Sequence, residues 1–218
     1  MQLTITLIIV IITSIISISA FSNQKMMDDL IFYPPAVTRR NQFYRFFTCG
    51  LIHADWSHLI FNMLSLYLFG QGVEKGFVGF LGQSGQYVYL LMYVTALLVS
   101  LLPTYFKNKD NYHYRSLGAS GAVSAVIFAG LMLAPDTEVY LFFIPIPIPG
   151  FIFAPLYLLL SAWLDKRGRD NINHSAHLWG AIYGLAFVIV AGRFVEYNVV
   201  EMGIERIKWY MRAKGWIS

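Results

Sequence analysis

The sequence predicts an all-α fold, a polytopic membrane bundle of six transmembrane helices forming one domain over residues 1–218. Three observations lead there. Of the 218 residues, 57% are apolar and only 13% are charged, against about 45–50% and about 25% in ordinary soluble domains. Six spans of about 20 residues need roughly 120 apolar positions, close to what that composition holds. The polar remainder is too small for a separate soluble domain.

The elements follow in order. Leu3 to Ala20 is uncharged and long enough to cross a bilayer. No Lys or Arg precedes it, so a retained first helix is expected rather than a signal peptide, although Ser17-Ile18-Ser19-Ala20 would serve as a small-residue cleavage end. A polar first loop with some structure of its own, residues 21–56, carries Pro34-Pro35 and Arg39-Arg40. Further spans are expected at Trp56–Val73, Tyr87–Phe106, Leu117–Ala134, Phe151–Trp163 and Ala176–Phe194. Prolines at 145, 147 and 149 forbid regular helix before the fifth span, which is expected to be short with an extended lead-in. The tail, residues 195–218, mixes apolar and basic residues and holds Trp209-Tyr210, the pattern of an interfacial helix. All acidic residues fall, on this reading, in loops or the tail.

Charge excludes little. Sixteen basic and 12 acidic residues give +4, with no block of Lys and Arg that would point to nucleic acid. With both termini inside, the inner segments hold Lys75 and five basic residues from Arg193 onward, whereas the outer loops hold ten, Arg169 among them. The positive-inside rule alone would therefore reverse the orientation. The single cysteine, Cys49, excludes an intrachain disulfide and any CxxC motif, and His174-x-x-His177 lacks a carboxylate ligand, so neither metal nor other cofactor is expected.

Polar side chains at membrane depth are costly and need a cavity or a site. His58 and Asn62 are four apart and share a helix face, with His53 just ahead of them. Gly118-Ala119-Ser120-Gly121 opens the fourth span, where backbone N–H groups and the positive helix end could stabilise an oxyanion. Gly118 with Ala122 and Gly121 with Ala125 form small stripes for close packing. On the last span His177, Gly180 and Gly184 fall on one face, a complementary small stripe that would bring an imidazole to the Ser120 hydroxyl. An adjacent base is what turns a serine into a nucleophile. His174, one turn outward, is the rival base. His58 and Asn62 could donate to the oxyanion or simply bridge helices.

Taken together, Tyr44-Arg45-Phe46-Phe47-Thr48, His53, His58, Asn62, Gly118-Ala119-Ser120-Gly121, and Ala176-His177-Leu178-Trp179-Gly180 with Gly184 resemble the rhomboid intramembrane serine proteases over residues 44–184. The resemblance implies a six-helix rhomboid bundle with its catalytic core at 44–194. It also implies a Ser120/His177 dyad, oxyanion help from His58 and Asn62, and active-site support from Gly118 and Gly121. Its further implications are an extracytoplasmic opening with cytoplasmic termini, transmembrane protein substrates, and residence as a multi-pass protein of the lipid bilayer, expected as a bacterial inner (plasma) membrane. Nothing indicates a nucleic-acid partner, and no oligomeric state follows from the residues. Tyr44, Cys49 and Ser124 depart from residues associated with the family, and the last leaves open what orients His177. A proteolytically inactive relative would be expected to lack Ser120 or His177, and a transporter would be indifferent to Ser120.

Overall fold

The computed structural model describes residues 3–141, 144–168 and 172–218. Arg169, counted above among the outer-loop charges, lies outside the described residues.

Ten helices are described. α1 (Ile5–Phe21) starts at Thr4, whose side chain accepts from Leu7 N–H. The first loop is folded rather than extended, into α2 (Gln24–Leu30), α3 (Pro34–Arg40), α4 (Arg45–Thr48) and a 3-10 turn at Cys49–Leu51. α5 (Trp56–Leu81) is capped by the Asp55 carboxylate, which accepts from His58 N–H. A 3-10 turn links it to α6 (Gly85–Asn108), and the 53 residues from Trp56 to Asn108 together form one of two helical stretches among the described residues that are long and apolar enough to cross a membrane. The other is α9 (His174–Arg193). α1 and α7 (Ser120–Leu133) are apolar but shorter.

α7 is the centre. Nine of its 14 residues are buried, and the main apolar core runs from Leu59, Leu66 and Phe77 of α5 through Met92 and Ala96 of α6 to Ala122, Ala125 and Ala129. Small side chains along α7 are what allow three neighbours to close around it. The helix begins at Ser120, three residues later than expected, because Gly118 has a φ of +106°, a conformation open to glycine that ends any helical run from Leu117. Gly118 is therefore no member of a helical small stripe.

Two further expectations are corrected. The fold is not purely helical: β1 (Glu138–Leu141) pairs antiparallel with β2 (Ile144–Pro149), Val139 opposite Ile148. Alternating prolines bias the chain to extended geometry but cannot donate on every residue, which suits a strand at a sheet edge. The helix that follows, α8 (Gly150–Arg167), is longer than expected at 18 residues and stops at Gly168, φ +55°. The second correction concerns Glu74, which lies inside α5 and is buried. Its carboxylate accepts from Ile5 N–H at 2.8 Å, from Thr6 N–H at 3.0 Å and from the Thr6 hydroxyl at 2.8 Å, while that hydroxyl lies 3.0 Å from the Tyr89 hydroxyl. It fills the role of an N-terminal cap for α1 supplied from another helix, answering N–H groups that lipid could not satisfy.

The first loop is fastened to the segment ahead of Ser120. Buried Arg45 donates to the Asp28 and Ile31 carbonyls at 2.9 and 2.7 Å and to Gln42 at 2.6 Å. Phe32 and Ser116 exchange backbone bonds of 2.9 and 3.1 Å, and Gly118 N–H donates to the Cys49 carbonyl at 2.9 Å. α10 (Val199–Ala213) closes the chain, with Val199, Gly203 and Tyr210 buried.

Two outcomes are expected. Glu74→Ala lowers stability by about 1–3 kcal/mol, the cost of leaving helix-end donors without a charged partner, read as a lower unfolding midpoint in detergent; an unchanged midpoint would contradict the cap. Cys49 is buried, and burial pushes its thiol up to about 12, so maleimide should modify it only after denaturation, as mass spectrometry would report.

Candidate active site

Ser120 is the first residue of α7 and half-buried, at the mouth of the bundle. His177 sits one turn into α9, which starts with Asn173 capping Ala176 N–H at 3.1 Å. The two meet: His177 Nε2 lies 2.8 Å from Ser120 Oγ. For that nitrogen to accept the hydroxyl proton, the ring proton must reside on Nδ1.

Backbone contact between α7 and α9 sets this distance. A Cβ on Gly180 would run into the Gly121 carbonyl, and one on Gly184 into the Ala125 carbonyl. Gly180 and Gly184 thus seat α9 on α7 one and two turns below His177. A Cβ on Gly121 would in turn meet the Ser100 hydroxyl of α6. His174 packs edge-to-face on the His177 ring, centroids 5.9 Å apart at 82°.

His58 approaches from α5. A Cβ on Gly118 would stand 2.6 Å from His58 Cε1 and 2.8 Å from Nε2, so Gly118 is needed for space as well as for its backbone angle. His58 Nδ1 accepts from Ala54 N–H at 3.4 Å, which leaves the proton on Nε2, the atom facing Gly118. Asn62 spends one amide N–H on the His58 carbonyl of its own helix, at 2.9 Å, and keeps the second. It is buried.

His53, just ahead of His58 and Asn62 in the sequence, is not open to solvent. It is fully buried. Ser17 gives its one hydroxyl proton to the Leu51 carbonyl at 2.8 Å, so at the 2.9 Å contact between Ser17 Oγ and His53 Nδ1 the imidazole is the donor. Nε2 then accepts from Ala119 N–H at 3.4 Å. Burial, and then the neighbouring His58, push its pKa down to about 3, so the ring is neutral. His53 ties α1 to the peptide just before the serine.

Several residues escaped the sequence reading. Ser100, Thr104 and Asn108 form a buried polar row on α6 at spacing four. A cavity of about 220 Å³ lined by Thr104, Asn108, Tyr114, Asp165 and Asn173 opens at its outer end, and a void of about 10 Å³ lined by Ser100, Ser120 and Asn173 lies at its inner end. Thr104 donates to Asn173 at 3.0 Å. Only the spacing of three short polar residues in an apolar helix could have flagged them. Ser124, one turn below Ser120, lies 3.3 Å from the Tyr157 hydroxyl of α8 rather than against the histidine.

Comparison with known proteins bears on the family. The family model described as the rhomboid domain matches residues 40–194. A curated relative, "RHOMBOID-like protein 12, mitochondrial" from Arabidopsis thaliana, is 31% identical over 159 residues, 67% of this chain. The chain spans about half of that relative, 46% of its length. With more than half of its residues matched by that domain, the chain belongs to the rhomboid family of integral membrane proteins.

Proposed function

We propose that the protein is an intramembrane serine endopeptidase that hydrolyses peptide bonds in or near transmembrane segments of membrane-protein substrates through a Ser120/His177 dyad. The observation that carries the reading is the 2.8 Å approach of His177 Nε2 to Ser120 Oγ. Family membership supports the reaction class.

In the proposed reaction Ser120 passes its proton to His177 Nε2 while Oγ attacks the scissile carbonyl carbon, giving a tetrahedral oxyanion and an imidazolium. His58 Nε2–H, the second amide N–H of Asn62 and the free N–H groups at the start of α7 are the donors available to that oxyanion. His177 returns the proton to the leaving amine, the C–N bond breaks, and an ester to Ser120 remains. Water then attacks the ester with His177 again as base, freeing the new carboxyl terminus and restoring the hydroxyl. The void beside Ser120 has room for about one water, and the Ser100–Thr104–Asn108 row offers that water a polar path.

Depth follows from length. α7 has 14 residues, about 21 Å at 1.5 Å per residue, which falls about 9 Å short of a ~30 Å hydrocarbon core. With the inner end of α7 at one boundary, Ser120 lies below the opposite surface, inside the bilayer. We assign α1, α5, α6, α7, α8 and α9 as the six spans, with Ser120 opening to one side of the membrane, the termini on the other and α10 along that second interface. The name of the plant relative places that protein in mitochondria, so a bacterial inner membrane is without support and the assignment here stops at an integral membrane protein.

Cleavage of a panel of single-span proteins in proteoliposomes tests the reading. Ser120→Ala and His177→Ala each lower cleavage by at least about a thousandfold, and His58→Ala by about 10²- to 10³-fold, with kcat affected more than KM. Full cleavage by Ser120→Ala would refute the mechanism. A wild type that cleaves nothing would favour an inactive, substrate-binding relative.

A further inference from the structure

The C-terminal segment lies beyond residues 40–194 matched by the family model, and the dyad chemistry makes no use of it. It is nonetheless built into the protein. From the inward side of α10, Arg206 forms a two-pronged pair with Asp136, Nε to Oδ1 at 2.5 Å and Nη2 to Oδ2 at 3.0 Å. The Tyr210 hydroxyl and Lys214 Nζ both donate to the same Glu138 oxygen, at 3.2 and 3.3 Å. Lys214 first and then Tyr210 hold the Glu138 carboxyl below its ordinary value. Beyond them, Phe151, the second residue of α8, packs edge-on against Tyr210 and Trp216, centroids 5.8 and 6.5 Å away. Tyr210 and Trp216 are themselves 5.8 Å apart.

Asp136 and Glu138 belong to the connection between α7 and α8, and Phe151 to the first turn of α8. That connection fixes the base of α8, since Gly150 N–H donates to the Thr137 carbonyl and Phe151 N–H to the Pro135 carbonyl, both at 2.8 Å. Above its base α8 is sparsely held: of its 18 residues only Gly150 and Ser161 are buried, whereas nine of 14 are buried in α7. The hydrogen-bond distance between Tyr157 and Ser124 is its polar link to α7. A helix gripped at one end and loosely packed along its length pivots about the gripped end.

We propose that α10 is a clamp in which Arg206, Tyr210 and Lys214 act as positioning residues, gripping the base of α8 through Asp136, Glu138 and Phe151 and limiting how far α8 swings from α7 to admit a membrane-spanning substrate to Ser120. The proposal rests on the protease reading for its substrate and on the sparse burial of α8 for its motion. Single exposed ion pairs contribute little; here two share one short connection with a three-ring cluster, so loosening one loosens the grip on α8.

The test uses the full chain in proteoliposomes. Arg206→Asp sets two carboxylates against each other at Asp136. It should lower KM for a single-span substrate at least threefold while kcat, and the rate at which a fluorophosphonate labels Ser120, stay within twofold of wild type. Adding Asp136→Arg to Arg206→Asp restores the pair with its signs exchanged and should restore KM. Independently of catalysis, spin labels on cysteines introduced at Leu159 of α8 and Leu68 of α5, both exposed, should give a distance distribution that broadens in Arg206→Asp and narrows again in the exchanged pair. An unbroadened distribution, a KM that is unchanged or raised, or an exchange that restores neither would overturn the clamp. If the wild type neither labels nor cleaves, the protease reading falls, and the spin-label distances alone decide the clamp.

Discussion

Backbone contact between α7 and α9 is the constraint on which the rest depends. No side chain separates the two helices where Gly180 faces the Gly121 carbonyl and Gly184 faces that of Ala125. Within a bilayer this contact gains nothing from excluding water, so dispersion between closely fitted backbones has to hold it. The fit places an imidazole and a hydroxyl from different helices at hydrogen-bond distance, with no acidic third member in the same helix. The His174 ring packs edge-on against that of His177. The other structural ties serve the same end: His53 and the Cys49 carbonyl hold the 118–119 peptides, and Phe32 pairs with Ser116, so the approach to Ser120 is fixed from the first loop.

Much of this was legible in the sequence because it is written in spacing. A histidine and two glycines at i, i+3 and i+7 specify one helix face, and a Gly-Ala-Ser-Gly run opening an apolar stretch specifies its partner. The boundaries of α1, α6 and α9 follow the apolar runs to within a few residues. What the sequence hid was three-dimensional. Glu74 ends an apolar run and reads as the first residue of a loop, yet α5 continues another turn and more, because the carboxylate is satisfied by a helix nearly seventy positions away in the chain. His53 reads as an active-site polar residue by its neighbours, but its partners, Ser17 and Ala119, come from two other segments. The hairpin at 138–149 was half legible: prolines announce extended chain but not the strand that pairs with it. The φ of Gly118, which shortens α7, leaves no mark in composition.

The two ends of the molecule divide the work. At the mouth of the bundle, buried hydrogen bonds converge on a few peptides around Ser120 and leave little freedom. At the other end, the tail helix and the hairpin join α8 to the bundle by exposed ion pairs and aromatic contacts, which cost less to rearrange. On the proposed function, a rigid reacting centre beside one weakly packed helix suits hydrolysis in a membrane, since the dyad must keep its geometry while a substrate as bulky as a helix is let in.

The seam between α7 and α9 is tested most directly at Gly184, two turns from His177 and remote from any reacting atom. The second-order rate constant for fluorophosphonate labelling of Ser120 should fall at least tenfold in Gly184→Ala and further in Gly184→Val, with helical circular dichroism unchanged, because the added carbons push α9 off α7 and separate Nε2 from Oγ. A labelling rate that stays at the wild-type value in both variants would contradict the dependence of the dyad on that backbone contact.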